Sequence, residues 1–305
     1  MKHNIPCTLF SEGVRNSIRW LQLSLCALHP TAELGPFRKL TRYFLYNSPA
    51  LEKLDLSECQ EIMCLKIPCV LLQLHFLKVS YCFKLQVIES KARNLFSFSL
   101  TGTRGTVKVS LGETMQMKNL CMCRSDLIYY ARSELPSNMP NLETLTIGSP
   151  KERVDTPMLP TKFLFLKHLS ISLTLSFCPS YDFFSLASFL VASPSLEMRQ
   201  MPEQHHRCLK TLKIKGFHSA KSLVELTCYI LKNTKSLECL TLDTTYGQCA
   251  PMNEGFLAEA RRGAAAIRTY IEDIVPSTVK LTVVEHCRRC HADSYPNIGA
   301  AWNNF

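Results

Sequence analysis

Glycine is scarce, with 11 residues in a chain of 305. That disfavours a protein built on Gly-rich phosphate loops, and neither GxGxxG nor a Walker-type loop occurs. HExxH and GxSxG are also missing. The acidic residues form no paired constellation at a recognisable spacing. Nucleophilic catalysis needs a base close to the nucleophile, yet the nine histidines are scattered along the chain. An enzyme reading has nothing to stand on, and no cofactor is expected. Long hydrophobic runs are missing too. The longest, around Phe183–Val191, is too short and too interrupted to span a bilayer. The opening MKHNIPCTLF has no apolar core of signal-peptide length. The expectation is a soluble intracellular protein, with nucleus and cytoplasm unresolved.

What is present is apolar material. Hydrophobic residues make up 46 % and charged residues only 20 %, which excludes a wholly disordered chain. The 15 cysteines are odd in number and irregularly spaced, which suits reduced thiols better than a disulfide framework. The net charge is +10. Its basic residues are spread rather than massed in a block, so nucleic acid is not the favoured partner. A binding module using a basic face is kept as an alternative.

A short kernel repeats. It reads SPALEKLDLSEC at 48–59, MPNLETLTIGS at 139–149 and TKSLECLTLD at 234–243. Looser copies begin at Ile18, Leu74, Asn94, Met117, Phe165 and Cys208. Its first apolar positions, Leu51, Leu74, Leu95, Met117, Leu142 and Leu166, are separated by 23, 21, 22, 25 and 24 residues. That is the period of leucine-rich repeats. The last two apolar positions of each kernel are two apart, so both point to one side of a strand. One such strand cannot bury that side alone. Parallel stacking of copies makes a continuous core. The expected fold is an α/β leucine-rich-repeat solenoid: a curved parallel sheet of about eight to ten strands with a helical or irregular convex side.

The spacing also predicts details. Cys26, Cys59 and Cys82 share the ninth kernel position and are expected to form a buried ladder. Helices are expected at 181–193, with Phe184, Ala187, Leu190 and Val191 on one face, and at 219–233, with Leu223, Leu226, Ile230 and Leu231 inward and Asn233 as C-cap. A third helix is expected at 254–272, followed by a terminal strand. The period breaks near 27–47 and 194–207, where weak order or strained connections are expected. The chain divides into a tail at 1–12, the array at 13–250, a capping helix and strand at 251–285, and a tail at 286–305.

Residues alternating with the core leucines face the concave side. The binding candidates there are Lys53, Asp55, Phe76, Lys78, His168, Lys213, Lys215 and Asp243. The other concave positions are mostly Ser and Thr, which makes the strip a poor match to the Trp-, Tyr- and Arg-rich composition of protein hot spots. Cys287, Cys290 and His291 form a CxxCH. Haem attachment through it needs an export route that this N-terminus lacks. Zinc needs a second ligand pair, and none is obvious nearby. No metal is therefore expected.

The kernels, together with CLKIPC (64–69), LQVIESKARNL (85–95), ELPSNMPNLETLTIGS (134–149) and LKTLKIKGFHSAKSLVELTCYILKNTKSLECLTLD (209–243), resemble the F-box/leucine-rich-repeat proteins of grasses. The last segment is similar to the FBD-type region that closes many of them. The resemblance spans roughly residues 13–292. It implies a substrate-recognition arm of a cullin-type ubiquitin ligase, in which an F-box holds a Skp-type adaptor and the repeats hold an unidentified target protein. Only a short polar stretch precedes the first repeat, so an F-box is expected to be missing and adaptor binding absent. A truncated non-functional copy, or a decoy that binds targets without recruiting the ligase, is the alternative.

Overall fold

The computed structural model describes residues 17–25, 45–46, 48–103, 107–112, 115–124, 126–149, 163, 165–172, 181–189, 209–245 and 254–285. Ten strands of this chain form one parallel sheet. They are β1 (Trp20–Ser24), β2 (Lys53–Ser57), β4 (Phe76–Ser80), β6 (Ser97–Thr101), β8 (Asn119–Cys123), β9 (Thr144–Gly148), β10 (His168–Ser172), β11 (Thr211–Lys215), β12 (Cys239–Asp243) and β13 (Lys280–Val284). Every strand is the finish of a kernel or of the terminal copy, and the spatial order follows the chain order. This is a solenoid in which each turn touches only its neighbours.

The register stacks the leucines rung over rung. Leu54, Leu77, Phe98, Leu120, Leu145, Leu169, Leu212, Leu240 and Leu281 are successive partners. Two residues on, Leu56, Val79, Leu100, Met122, Ile147, Ile171, Ile214 and Leu242 make a second column. The leading apolar residue of each kernel makes a third, in which Leu51, Leu74, Leu95, Met117, Leu142, Leu166, Leu209 and Leu237 are all buried. At roughly 1.5–3 kcal/mol for each such side chain, these columns dominate the stability. Cys59 and Cys82 sit at the end of the second and third described coils, both buried. Their thiols donate to backbone carbonyls, Cys59 to Leu23 and Ser57 at 3.5 Å, and Cys82 to Leu56 at 3.7 Å and Ser80 at 3.5 Å. Cys26 lies outside the described residues.

The return side changes character along the chain. In the first half it is not helical or irregular but a second parallel sheet: β3 (Cys64–Ile67), β5 (Val87–Ser90) and β7 (Lys108–Ser110). Leu65, Ile67 and Ile88 point into the core, while Lys66 and Glu89 pair outside at 2.7 Å. A coil of this length returns extended because 21–23 residues leave no room for a helix beside two strands and their turns. Among the described residues, the returns after β8, β10, β11 and β12 contain helix. After β8 come α1 (Leu127–Ser133) and α2 (Leu135–Asn138). Between β11 and β12 lies α3 (Lys221–Asn233), which buries Leu223, Leu226, Ile230 and Leu231 as the periodicity requires. Its C-cap is Thr234, not Asn233. Asn233 instead donates its side-chain amide to the Tyr229 carbonyl at 2.8 Å, back in the last turn.

The segment at 181–193 differs from its expectation. It is a 3₁₀ helix over Phe183–Phe189. Three residues per turn bring Phe183 and Leu186 to one face, and these two are buried with Ala187. Phe184 is only half-buried and meets Tyr229 edge-on, with centroids 5.5 Å apart. Leu190 and Val191 lie outside the described residues, as do 194–207 and nearly all of 27–47. Finally α4 (Glu254–Tyr270) and a short 3₁₀ turn (Glu272–Ile274) lead to β13. Gly263 of α4 is pressed against the β11–α3 loop: a Cβ there would lie 2.9 Å from the Phe217 carbonyl oxygen. Among the described residues, no helix is long and apolar enough to cross a membrane.

Candidate functional site

The exposed face of the ten-stranded sheet has three rows of side chains, set by strand alternation. The first runs Trp20, Lys53, Phe76, Ser97, Asn119, Thr144, His168, Thr211, Cys239 and Lys280. Asp55, Lys78, Ser170, Lys213 and Thr241 belong to the second row, and Ser57, Ser80, Ser172, Lys215 and Asp243 to the third.

All eight concave candidates lie in these rows, but in very different settings. Asp55 is buried at 8 % exposure. It takes the Lys78 ammonium at 2.9 Å and the Ser57 hydroxyl at 2.9 Å, and Ser57 meets the Ser80 hydroxyl at 2.8 Å. This quartet ties β2 to β4, so Asp55 and Lys78 satisfy each other. Asp243 is 4 % exposed. Its Oδ1 accepts the Thr245 N–H at 2.8 Å and the Thr245 hydroxyl at 2.6 Å, an Asx-type turn that leads the chain off the sheet. His168 is exposed, with Nδ1 at 2.8 Å from the Thr211 hydroxyl. Lys53 is exposed and Phe76, Lys213 and Lys215 are half-buried. Cys287, Cys290 and His291 lie outside the described residues. Among the described residues no group of three or more His, Cys, Asp or Glu is arranged to hold a metal.

One residue of the face escaped the sequence reading. Trp20 is 65 % exposed, with the Lys53 ammonium 5.9 Å from its ring centroid, a cation–π distance. The signal was the kernel IRWLQLSLC, where Trp20 stands in the register of Lys53 and Phe76. A tryptophan, a lysine and a phenylalanine on successive strands give the β1 end the hot-spot character that the Ser/Thr middle lacks.

Beside the first row, charged residues pair across strands. Arg19 meets Glu52 at 3.7 Å. Glu143 lies between Lys118 at 3.1 Å and Lys167 at 2.6 Å. Hydrogen bonds from Lys167 and then Lys118 hold its carboxyl below the usual carboxylate value. Lys210 meets Glu238 at 2.7 Å, and that partner raises the lysine. At the opposite edge β1, β2, β4, β6 and β11 end in tight turns. Leu25, Glu58 and Tyr81 adopt φ of 54°, 56° and 54° there, and Gly102 and Gly216 adopt 64° and 77°. At Gly102 a Cβ would come within 2.4 Å of the Tyr81 ring, so any side chain there would have to displace that ring. Arg124, just past β8, stacks its guanidinium 4.6 Å over Tyr130.

A stacked leucine ladder with a shallow, polar parallel-strand face defines a leucine-rich-repeat domain. Domains of this class are in general non-enzymatic modules that bind other proteins. The At1g61320/AtMIF1 leucine-rich-repeat domain model matches residues 1–198 and 196–288, and the chain belongs to that family. No curated protein and no solved structure is significantly similar to it.

Proposed function

We propose that the exposed face of the ten-stranded sheet holds a protein target, and that the chain acts as the target-binding part of an F-box-type subunit of a cullin ubiquitin ligase. The observation that carries the first half is the row Trp20–Lys53–Phe76, an aromatic and cationic cluster with Trp20 and Lys53 exposed and Phe76 half-buried, on a stacked ladder. A rigid scaffold limits the ordering cost of binding. The ligase setting rests on the resemblance of the kernels and of the segment at 209–243 to grass F-box proteins. The compartment proposed with it is intracellular. These 305 residues are proposed to hold the target and not the Skp-type adaptor; retention of such an adaptor by this chain alone would refute that.

The test is proximity labelling in the native tissue with two forms of the chain, natural and Trp20→Ala/Lys53→Glu. The expected result is a set of labelled proteins that the double substitution removes. An identical set from both forms would overturn the reading.

A further inference from the structure

The charge on the concave face is strongly one-sided once internal partners are removed. Its described cations are Lys53, Lys78, Lys213, Lys215 and Lys280, and its described acids are Asp55 and Asp243. Asp55 cancels Lys78. Asp243, the register neighbour of Lys215, is buried and its Oδ1 is held by Thr245. In the flanking row Glu143 and Glu238 are taken up by lysines. No solvent-facing carboxylate is thus left among the described concave positions of β10 to β13, where Lys213 and Lys215 are half-buried and Lys280 is exposed. Around them the face offers hydroxyls of Ser170, Ser172, Thr211 and Thr241.

We infer that the surface over β10–β13 binds an extended acidic polypeptide segment. This rests on the protein-recognition reading and names the chemistry of the target. Neighbouring strands are ~4.8 Å apart, and residues two apart along a strand are separated by ~6.6 Å. The ammonium groups of Lys213 and Lys215 therefore stand at about the repeat of alternate side chains in an extended chain. Lys280, two strands from β11, extends the same field by ~10 Å. The hydroxyls donate to or accept from the bound backbone. Lysine, a compact point charge, suits carboxylates presented without fixed geometry, whereas bidentate phosphate recognition favours arginine. Single-stranded nucleic acid further calls for aromatic stacking platforms among the cations. The exposed Trp20 lies at the other end of the array.

The experiment is fluorescence anisotropy of a labelled twelve-residue Glu/Asp-rich peptide with the full chain. It compares Lys213→Glu/Lys215→Glu/Lys280→Glu with the same three as Gln, and with a control of equal charge change off the concave face, Lys91→Glu/Lys232→Glu/Lys235→Glu. Circular dichroism checks each fold. The concave Glu triple is expected to weaken binding by at least about tenfold and the Gln triple by less, with the control within about twofold. Equal loss in the control, no binding by the natural chain, or tighter concave-dependent binding of a twelve-nucleotide single strand would each overturn the inference. Should the peptide fail while labelling in tissue still depends on Trp20 and Lys53, only the acidic-segment inference falls.

Discussion

At the residue scale, the protein gives some of its buried polar groups partners from another coil. Glu259 of α4 is the clearest case. It accepts the Ser219 N–H at 3.2 Å and hydroxyl at 2.8 Å, and it pairs with Arg262. Burial raises its pKa, but these bonds outweigh burial and leave it below its ordinary value. His218 next door is buried, stacks edge-on with Phe183 at 4.9 Å and accepts the Ala220 N–H at 3.2 Å. Burial pushes its pKa down, opposed in part by the Glu259 charge. The unfolded chain therefore binds a proton at His218 that the folded chain refuses. Its stabilisation is complete above the ordinary value of 6.5 and is lost as pH falls below it. Glu259 acts in a lower window, since its stabilisation is lost only below its ordinary value of 4.5. Urea midpoints measured from pH 7.5 to 5.5 are expected to fall for the natural chain and to fall less for His218→Gln. Equal slopes would show that His218 does not titrate this way. None of this was legible in sequence, because Phe217, His218 and Gly263 meet only when α4 folds back across the β11–α3 loop.

At the scale of elements, α3 shows how far periodicity carries. Its inward leucines were readable because a helix places i, i+3 and i+4 on one side whatever it packs against. Leu226 is 1 % exposed and packs with Leu212, Ile214 and Leu186 around a small apolar pocket. Leu226→Ala is expected to cost about 2–5 kcal/mol, read as a lower urea midpoint, with Lys221→Ala on the exposed face nearly neutral. A loss below 1 kcal/mol would mean that α3 is only loosely docked. The 3₁₀ segment at Phe183–Phe189 was misread as an α-helix because Phe184 and Ala187 satisfy an i, i+3 pattern as well as Phe183 and Leu186 do. Packing of Phe183 against Tyr181 and His218 selects the second set. The second sheet was missed for a related reason: CLKI and VIES are only four residues each and acquire meaning only as partners of one another.

At the scale of the whole molecule, stability is a sum over neighbouring coils. Interior strands have a partner on each side, whereas β1 has one described partner and its Leu21 and Leu23 are only half-buried. Leu77 and Val79 of β4 are fully buried. Hydrogen exchange is therefore expected to be slowest in β4, β6, β8 and β9 and fastest in β1; uniform protection along the ten-stranded sheet would contradict a nearest-neighbour array. The sequence by itself determined the solenoid, the parallel order and the register. Those depend on a kernel that each coil carries within about ten residues, so local spacing suffices. It also named the concave rows, since alternation along a strand is a local rule. Only the tertiary structure decided which concave charges are free. Lys78 is neutralised by a residue 23 positions away, and Asp243 is withdrawn into its own turn. It alone decided that the first coils return as strands and the later ones as helices. Pairings between coils are set by the three-dimensional fit of side chains far apart in the chain, which no single kernel contains.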